Sequence, residues 1–127
     1  MSKRYAKIVS TGIYVPPIIM KPEDFEKKTG IKIDPNFIER TGLKVKRVAP
    51  PDETPATMAV KAAKQALERA NMDIKDIDLI IVGTDTPEVI TPPTAAKVQA
   101  LLGGDKYEIP AFDFNASCAN PVYMLEV

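Results

Sequence analysis

Histidine and tryptophan are absent from these 127 residues, and cysteine occurs once. A single thiol excludes an internal disulfide framework, and without imidazole the usual zinc-ligand patterns are excluded too. A thiol enzyme ordinarily places a base or an imidazole donor beside its sulfur. If the cysteine is catalytic, its partner must come from outside this chain. An excess of one charge is also lacking: seventeen Lys and Arg balance seventeen Asp and Glu. That balance does not point to nucleic acid or to an anionic membrane. No apolar run reaches the roughly 18 residues that span a bilayer. The start, Met1-Ser2-Lys3-Arg4-Tyr5, has no cleavable apolar region. A cytoplasmic protein is expected.

What remains is an ordinary globular composition, 45% hydrophobic and 27% charged, and residues 1–127 suit one domain. The segment from Ala6 to Tyr14 is β-branched and reads as a first strand closed by Pro16-Pro17. Lys21 to Lys28, with Pro22 in its first turn and Gly30 beyond its end, reads as a short helix. Pro35 to Arg40 reads as a second, stopped at Thr41-Gly42. Leu43 to Val48 alternates apolar and basic residues, the pattern of a half-exposed strand. Its Lys44, Lys46 and Arg47 read as a solvated face rather than a docking site.

The clearest helix starts at Thr54 as N-cap and Pro55 as first helical residue, and runs to about Asn71. Its apolar face, including Met58, Ala62, Ala63, Ala66 and Leu67, is small enough to lie close against a sheet. Ile77 to Thr84 is a nearly unbroken apolar run, expected as a strand covered on both faces. Thr94 to Leu102 is a helix and Ala111 to Asn115 a third main strand. Cys118 to Val127 opens a helix that stops without a cap, so the architecture is expected to be incomplete. Strands alternating with helices give an α/β fold with a parallel-type sheet.

In such sheets ligands gather beyond the carboxyl ends of the strands. Cys118 stands just past one, where the chain turns into a helix. Unpaired N–H groups and the positive end of the helix dipole favour thiolate there. The same N–H groups suit an oxyanion. A lone cysteine can equally be a small buried hydrophobe.

The segment Ala111-Phe112-Asp113-Phe114-Asn115-Ala116-Ser117-Cys118-Ala119 resembles the nucleophile segment of the β-ketoacyl-acyl-carrier-protein synthase III family, condensing enzymes of the thiolase superfamily. Three further segments match in the family's order. Glu39-Arg40-Thr41-Gly42-Leu43 followed by Lys46-Arg47-Val48-Ala49 is similar to its Arg-Thr-Gly element. Asp52-Glu53-Thr54 with Met58-Ala59 is similar to the helix that follows. Asp76 to Thr84, then Pro93-Thr94-Ala95-Ala96, is similar to the second strand and the loop after it.

The resemblance implies the N-terminal portion of a thiolase-like αβαβα fold, incomplete in this chain and usually dimeric. It implies that Cys118 takes an acyl group from acyl-CoA, which is a substrate, with no cofactor. Decarboxylative condensation with a malonyl-acyl-carrier protein would follow, in fatty acid or polyketide synthesis. The family's catalytic His and Asn would lie in a missing C-terminal half, so this chain alone is expected to be inactive. Arg40 matches the arginine that holds the adenine end of CoA, while the family's tryptophan falls on Asn36. Pro92 stands where many members carry a phenylalanine that reaches the neighbouring subunit's acyl pocket, which implies a differently shaped slot and primers bulkier than acetyl. Asn120-Pro121 replaces a usual Gly-Phe, which places Asn120 beside the substrate. Two other readings remain: a thiolase-fold acyltransferase without decarboxylation, and a non-catalytic acyl- or partner-binding module.

Overall fold

The computed structural model describes residues 5–127, so the expected absence of a leader concerns a segment that lies partly outside the described residues. The described residues expected as one half-domain form two compact units. One joins the segment up to Tyr14 with Thr54–Val127, and the other is Val15–Glu53.

The Val15–Glu53 unit pairs β1 (Ile18–Met20) with β2 (Lys46–Val48) antiparallel, Ile18 opposite Val48 and Met20 opposite Lys46. Between them run α1 (Pro22–Thr29) and α2 (Pro35–Thr41). Each helix stops where the sequence places a glycine. Gly30 and Gly42 adopt φ of 73° and 68°, the left-handed conformation that L side chains disfavour. Asp34 caps α2 by accepting the Asn36 N–H at 2.9 Å. Arg47 donates to the Pro17 carbonyl at 3.2 Å, which secures the end of β2. Phe25, Ile33, Phe37, Leu43 and Val45 surround an apolar cleft of about 170 Å³.

The larger unit holds α3 (Pro55–Ala70), β3 (Ile80–Gly83), α4 (Thr94–Leu101), β4 (Ala111–Phe114) and α5 (Asn120–Glu126). The α3 ends are those the sequence specifies. The Thr54 hydroxyl accepts the Thr57 N–H at 3.2 Å, and Asn71 closes the helix at φ 53°. Strands β3 and β4 run parallel, Ile80 opposite Ala111 and Gly83 opposite Phe114. Ala56, Val60 and Val98 form the buried centre, with Ala59, Ile80, Val82 and Leu102 packed around it. Small residues let α4 approach both strands closely, whereas α3, whose alanine-rich face is expected against the sheet, packs chiefly on α4 and turns Ala59, Ala63 and Ala66 to an open cleft opposite Ile80 and Val82.

The expected first strand is not one. Residues 6–14 carry no ladder and lie along α3 instead. Ser10 Oγ donates to the Ala66 carbonyl at 2.7 Å, the Ile13 N–H to Gln65 Oε1 at 2.9 Å, and Arg69 to the Thr11 carbonyl at 2.9 Å. A β-branched sequence becomes a strand only beside a partner strand; here helix side chains and carbonyls take up these groups. Among the described residues the core strands are therefore two, not three. The expected double coverage of the 77–84 segment also fails: only Ile80–Gly83 is strand, and Leu79 is exposed. Among the described residues no helix is long and apolar enough to cross a membrane.

Candidate active site

Strands β3 and β4 end side by side, and the Thr84 N–H continues the ladder to the Phe114 carbonyl at 3.2 Å. Beyond β3 the chain forms the loop 84–93, and beyond β4 it forms a 3₁₀ turn at Ser117–Ala119 leading into α5. Cys118 sits in that turn, exposed. It is not the buried hydrophobe that a lone cysteine often is.

Ser117 precedes it at φ 50°. A non-glycine residue in the left-handed region costs about 1 kcal/mol or more and persists only where its surroundings hold it. The restraints are visible. Ala119 donates to the Ala116 carbonyl at 3.0 Å, and Asn120 donates its N–H to the Ser117 carbonyl. Asn120 Oδ1 then reaches back to accept the Ala116 N–H at 2.5 Å. Neither backbone bond that closes the turn uses the Cys118 N–H.

Asn120, expected beside the substrate, faces inward with 7% of its surface exposed. Its side chain lies against the end of β3: a Cβ built on Gly83 would come within 3.0 Å of Asn120 Cβ and 2.7 Å of Met124 Sδ. Glycine at that position is what lets α5 approach. Phe114 and Tyr123 stack at 5.9 Å between ring centroids and tie α5 to β4 as well.

Loop 84–93 is held at both ends by β4. Its first residue bonds Phe114, and beyond its last the Asp113 carboxylate accepts the N–H groups of Thr94 and Ala95, each at 2.7 Å. Midway, Glu88 forms an ion pair with Lys97. Lys97, then the Thr54 hydroxyl and the Ala56 N–H, hold the Glu88 carboxyl below its ordinary value, against a smaller upward push from burial. The exposed stretch between these anchors contains Val89, Ile90 and Pro92, with Ile90 92% exposed. Pro92 follows Thr91 through a cis peptide bond. Arg40 belongs to the other unit, exposed in the last turn of α2.

The structure thus brings the Cys118 turn, Asn120 and the Pro92 loop to one end of the β3–β4 pair. Sequence reasoning missed Asp113 and Glu88. A signal for Asp113 was present: a carboxylate inside an apolar strand, while the following helix begins Pro93-Thr94 with no side-chain cap of its own.

No family model matches the chain. It is 44% identical over 120 residues to the β-ketoacyl-[acyl-carrier-protein] synthase III of Psychromonas ingrahamii, covering 94% of this chain and 37% of that protein. It is 44% identical over 123 residues to the synthase III of Actinobacillus pleuropneumoniae, covering 97% and 38%. The crystal structure of 3-oxoacyl-[acyl-carrier-protein] synthase III from Aquifex aeolicus matches with a TM-score of 0.81 at 39% identity, over 94% of this chain and 38% of that one. The priming β-ketosynthase of a polyketide biosynthetic pathway matches at 0.82 and 35%, over 96% and 36%. The chain spans little more than a third of the length of these relatives. With nearly all of its residues taking part in these matches, the chain is similar along its length to a part of β-ketoacyl-[acyl-carrier-protein] synthase III proteins and has a thiolase-like fold.

Proposed function

We propose that this chain provides the nucleophile-bearing part of a condensing enzyme of fatty acid or polyketide synthesis, with Cys118 as the acyl acceptor. The observation that carries the proposal is the exposed Cys118 in a strained, clasped turn at the carboxyl end of β4. Cys118 sulfur attacks the carbonyl of an acyl-CoA thioester, and CoA thiol leaves. Dividing the reaction through an acyl-enzyme replaces one difficult step by two easier ones. The Cys118 N–H, unused in closing the turn, donates to the oxygen that gains charge during the attack. In the second step a malonyl-carrier-protein thioester loses carbon dioxide. The resulting carbanion forms a carbon–carbon bond to the acyl carbonyl, and sulfur departs. The His and Asn that assist this step belong to a C-terminal half supplied beyond these residues. No cofactor takes part, because the sulfur itself carries the acyl group.

Arg40 contributes a guanidinium for the adenine end of CoA, where its plane can stack. Pro92 leaves more space in the acyl slot than a phenylalanine would, which favours primers larger than acetyl. The working form is a cytoplasmic homodimer that uses acyl-CoA and an acyl-carrier protein.

The test joins this chain at Val127 to the remaining part of the Aquifex aeolicus enzyme and assays condensation with acetyl-, branched-chain and longer acyl-CoA. Condensation that disappears in Cys118→Ser, with the larger primers preferred, supports the proposal. A folded chimera without condensation contradicts it, and a strict acetyl preference contradicts the role given to Pro92.

A further inference from the structure

Asn120 is the one residue in the Cys118 turn whose side chain turns back on the backbone that precedes the sulfur. Its Oδ1 accepts the Ala116 N–H at 2.5 Å, closing a ring that contains Ser117, Cys118 and Ala119. The side chain is 7% exposed and rests against the end of β3 at Gly83, so it has little room to choose another rotamer. Chemistry fixes which end of the carboxamide faces inward, because an N–H must meet an oxygen. Within the same ring Ser117 is held at φ 50°, a conformation that serine leaves when released.

We infer that Asn120 is a positioning residue: by clasping the Ala116 N–H it holds Ser117 left-handed and keeps the Cys118 thiol facing outward. This rests on the reading of Cys118 as the nucleophile, but the clasp itself can be measured without any catalysis. The physical requirement is an oxygen at the position of Oδ1. A side chain that supplies one preserves the turn, and an apolar side chain of similar bulk does not.

The experiment compares this chain with its Asn120→Asp and Asn120→Leu variants. It reads the hydrogen exchange of the Ala116 amide and the rate at which iodoacetamide alkylates the thiol. With one cysteine in the chain, every alkylation event reports Cys118. Loss of one intramolecular hydrogen bond is expected to speed Ala116 exchange about tenfold in Asn120→Leu. Alkylation slows in the same variant as the released thiol settles on apolar surface. Asn120→Asp retains both behaviours. The Ile80–Gly83 ladder amides stay protected in all three, which separates loss of the clasp from loss of the fold. An unchanged Ala116 amide and thiol in Asn120→Leu overturn the inference, as does an Asn120→Asp variant as fast in exchange as Asn120→Leu. Should Asn120→Leu fail to fold, Asn120→Asp decides alone: retained protection supports the clasp, and its loss overturns it. Failure of acyl transfer to Cys118 would leave this result intact, so the two readings fail separately.

Discussion

The carboxylate of Asp113 on β4 accepts the N–H of Thr94 at 2.7 Å, and its second oxygen takes the N–H of Ala95 at the same distance. A strand residue thereby caps a helix that has no side-chain cap of its own. Thr94 and Ala95 are 2% and 0% exposed, so water cannot take over either bond. Asp113→Ala leaves two buried donors unpaired and should destabilise the unit by about 2–4 kcal/mol. Asp113→Asn should recover only part, because its NH₂ group would face one of the donors. Urea unfolding of both variants checks this, and a cost near zero would show that the cap is not needed.

Gly12 and Gly83 both sit where another element comes close, but the obstacles differ. A Cβ on Gly12 would lie 2.0 Å from the Ala62 carbonyl oxygen, which is helix backbone and cannot yield. On Gly83 the nearest atom, at 2.7 Å, is the Met124 thioether sulfur, near the end of a flexible side chain. Gly12→Ala should therefore cost the full penalty of overpacking, about 3 kcal/mol, or detach residues 6–14 from α3. Gly83→Ala should cost less, about 1 kcal/mol. Thermal unfolding orders the two, and the reverse order would contradict the close approach of the N-terminal segment.

Glu88 makes the loop sensitive to acid. Its partners Lys97, Thr54 and Ala56 lower its folded value below the ordinary 4.5. A depressed carboxyl contributes its stability in full above the unfolded value and loses it as pH falls through the folded one. Glu88→Gln should thus be less stable than the parent at neutral pH, with the gap closing as pH falls below the ordinary carboxyl value and through the lowered folded one. Salt should narrow the gap too, since the pair is partly exposed. A gap that persists in acid would mean that shape, not charge, holds the loop.

Much of this was legible in the sequence, for reasons that can be named. Thr54-Pro55 and Asn71 bound α3, and Gly30 and Gly42 end the two short helices, because capping and left-handed φ are local chemistry. The nucleophile segment was legible through its resemblance to one family. Illegible were the properties that depend on a distant neighbour. Residues 6–14 have strand composition, yet their hydrogen bonds go to α3. Asn120 could be placed near the sulfur, but not the direction of its side chain, which depends on the Ala116 N–H it meets and on the space left by Gly83. Glu88 acts across a loop that no periodicity describes.

The most direct measurement is the mass of the chimera joined at Val127, and of its Cys118→Ser variant, after incubation with an acyl-CoA. A gain equal to one acyl group, mapped to the peptide containing Cys118, released by hydroxylamine as a thioester and absent from the serine variant, is the result expected. An unmodified Cys118 in a folded chimera whose Cys118 thiol still reacts with iodoacetamide, or an acyl group that survives the serine substitution, would contradict the assignment of Cys118 as the acyl acceptor.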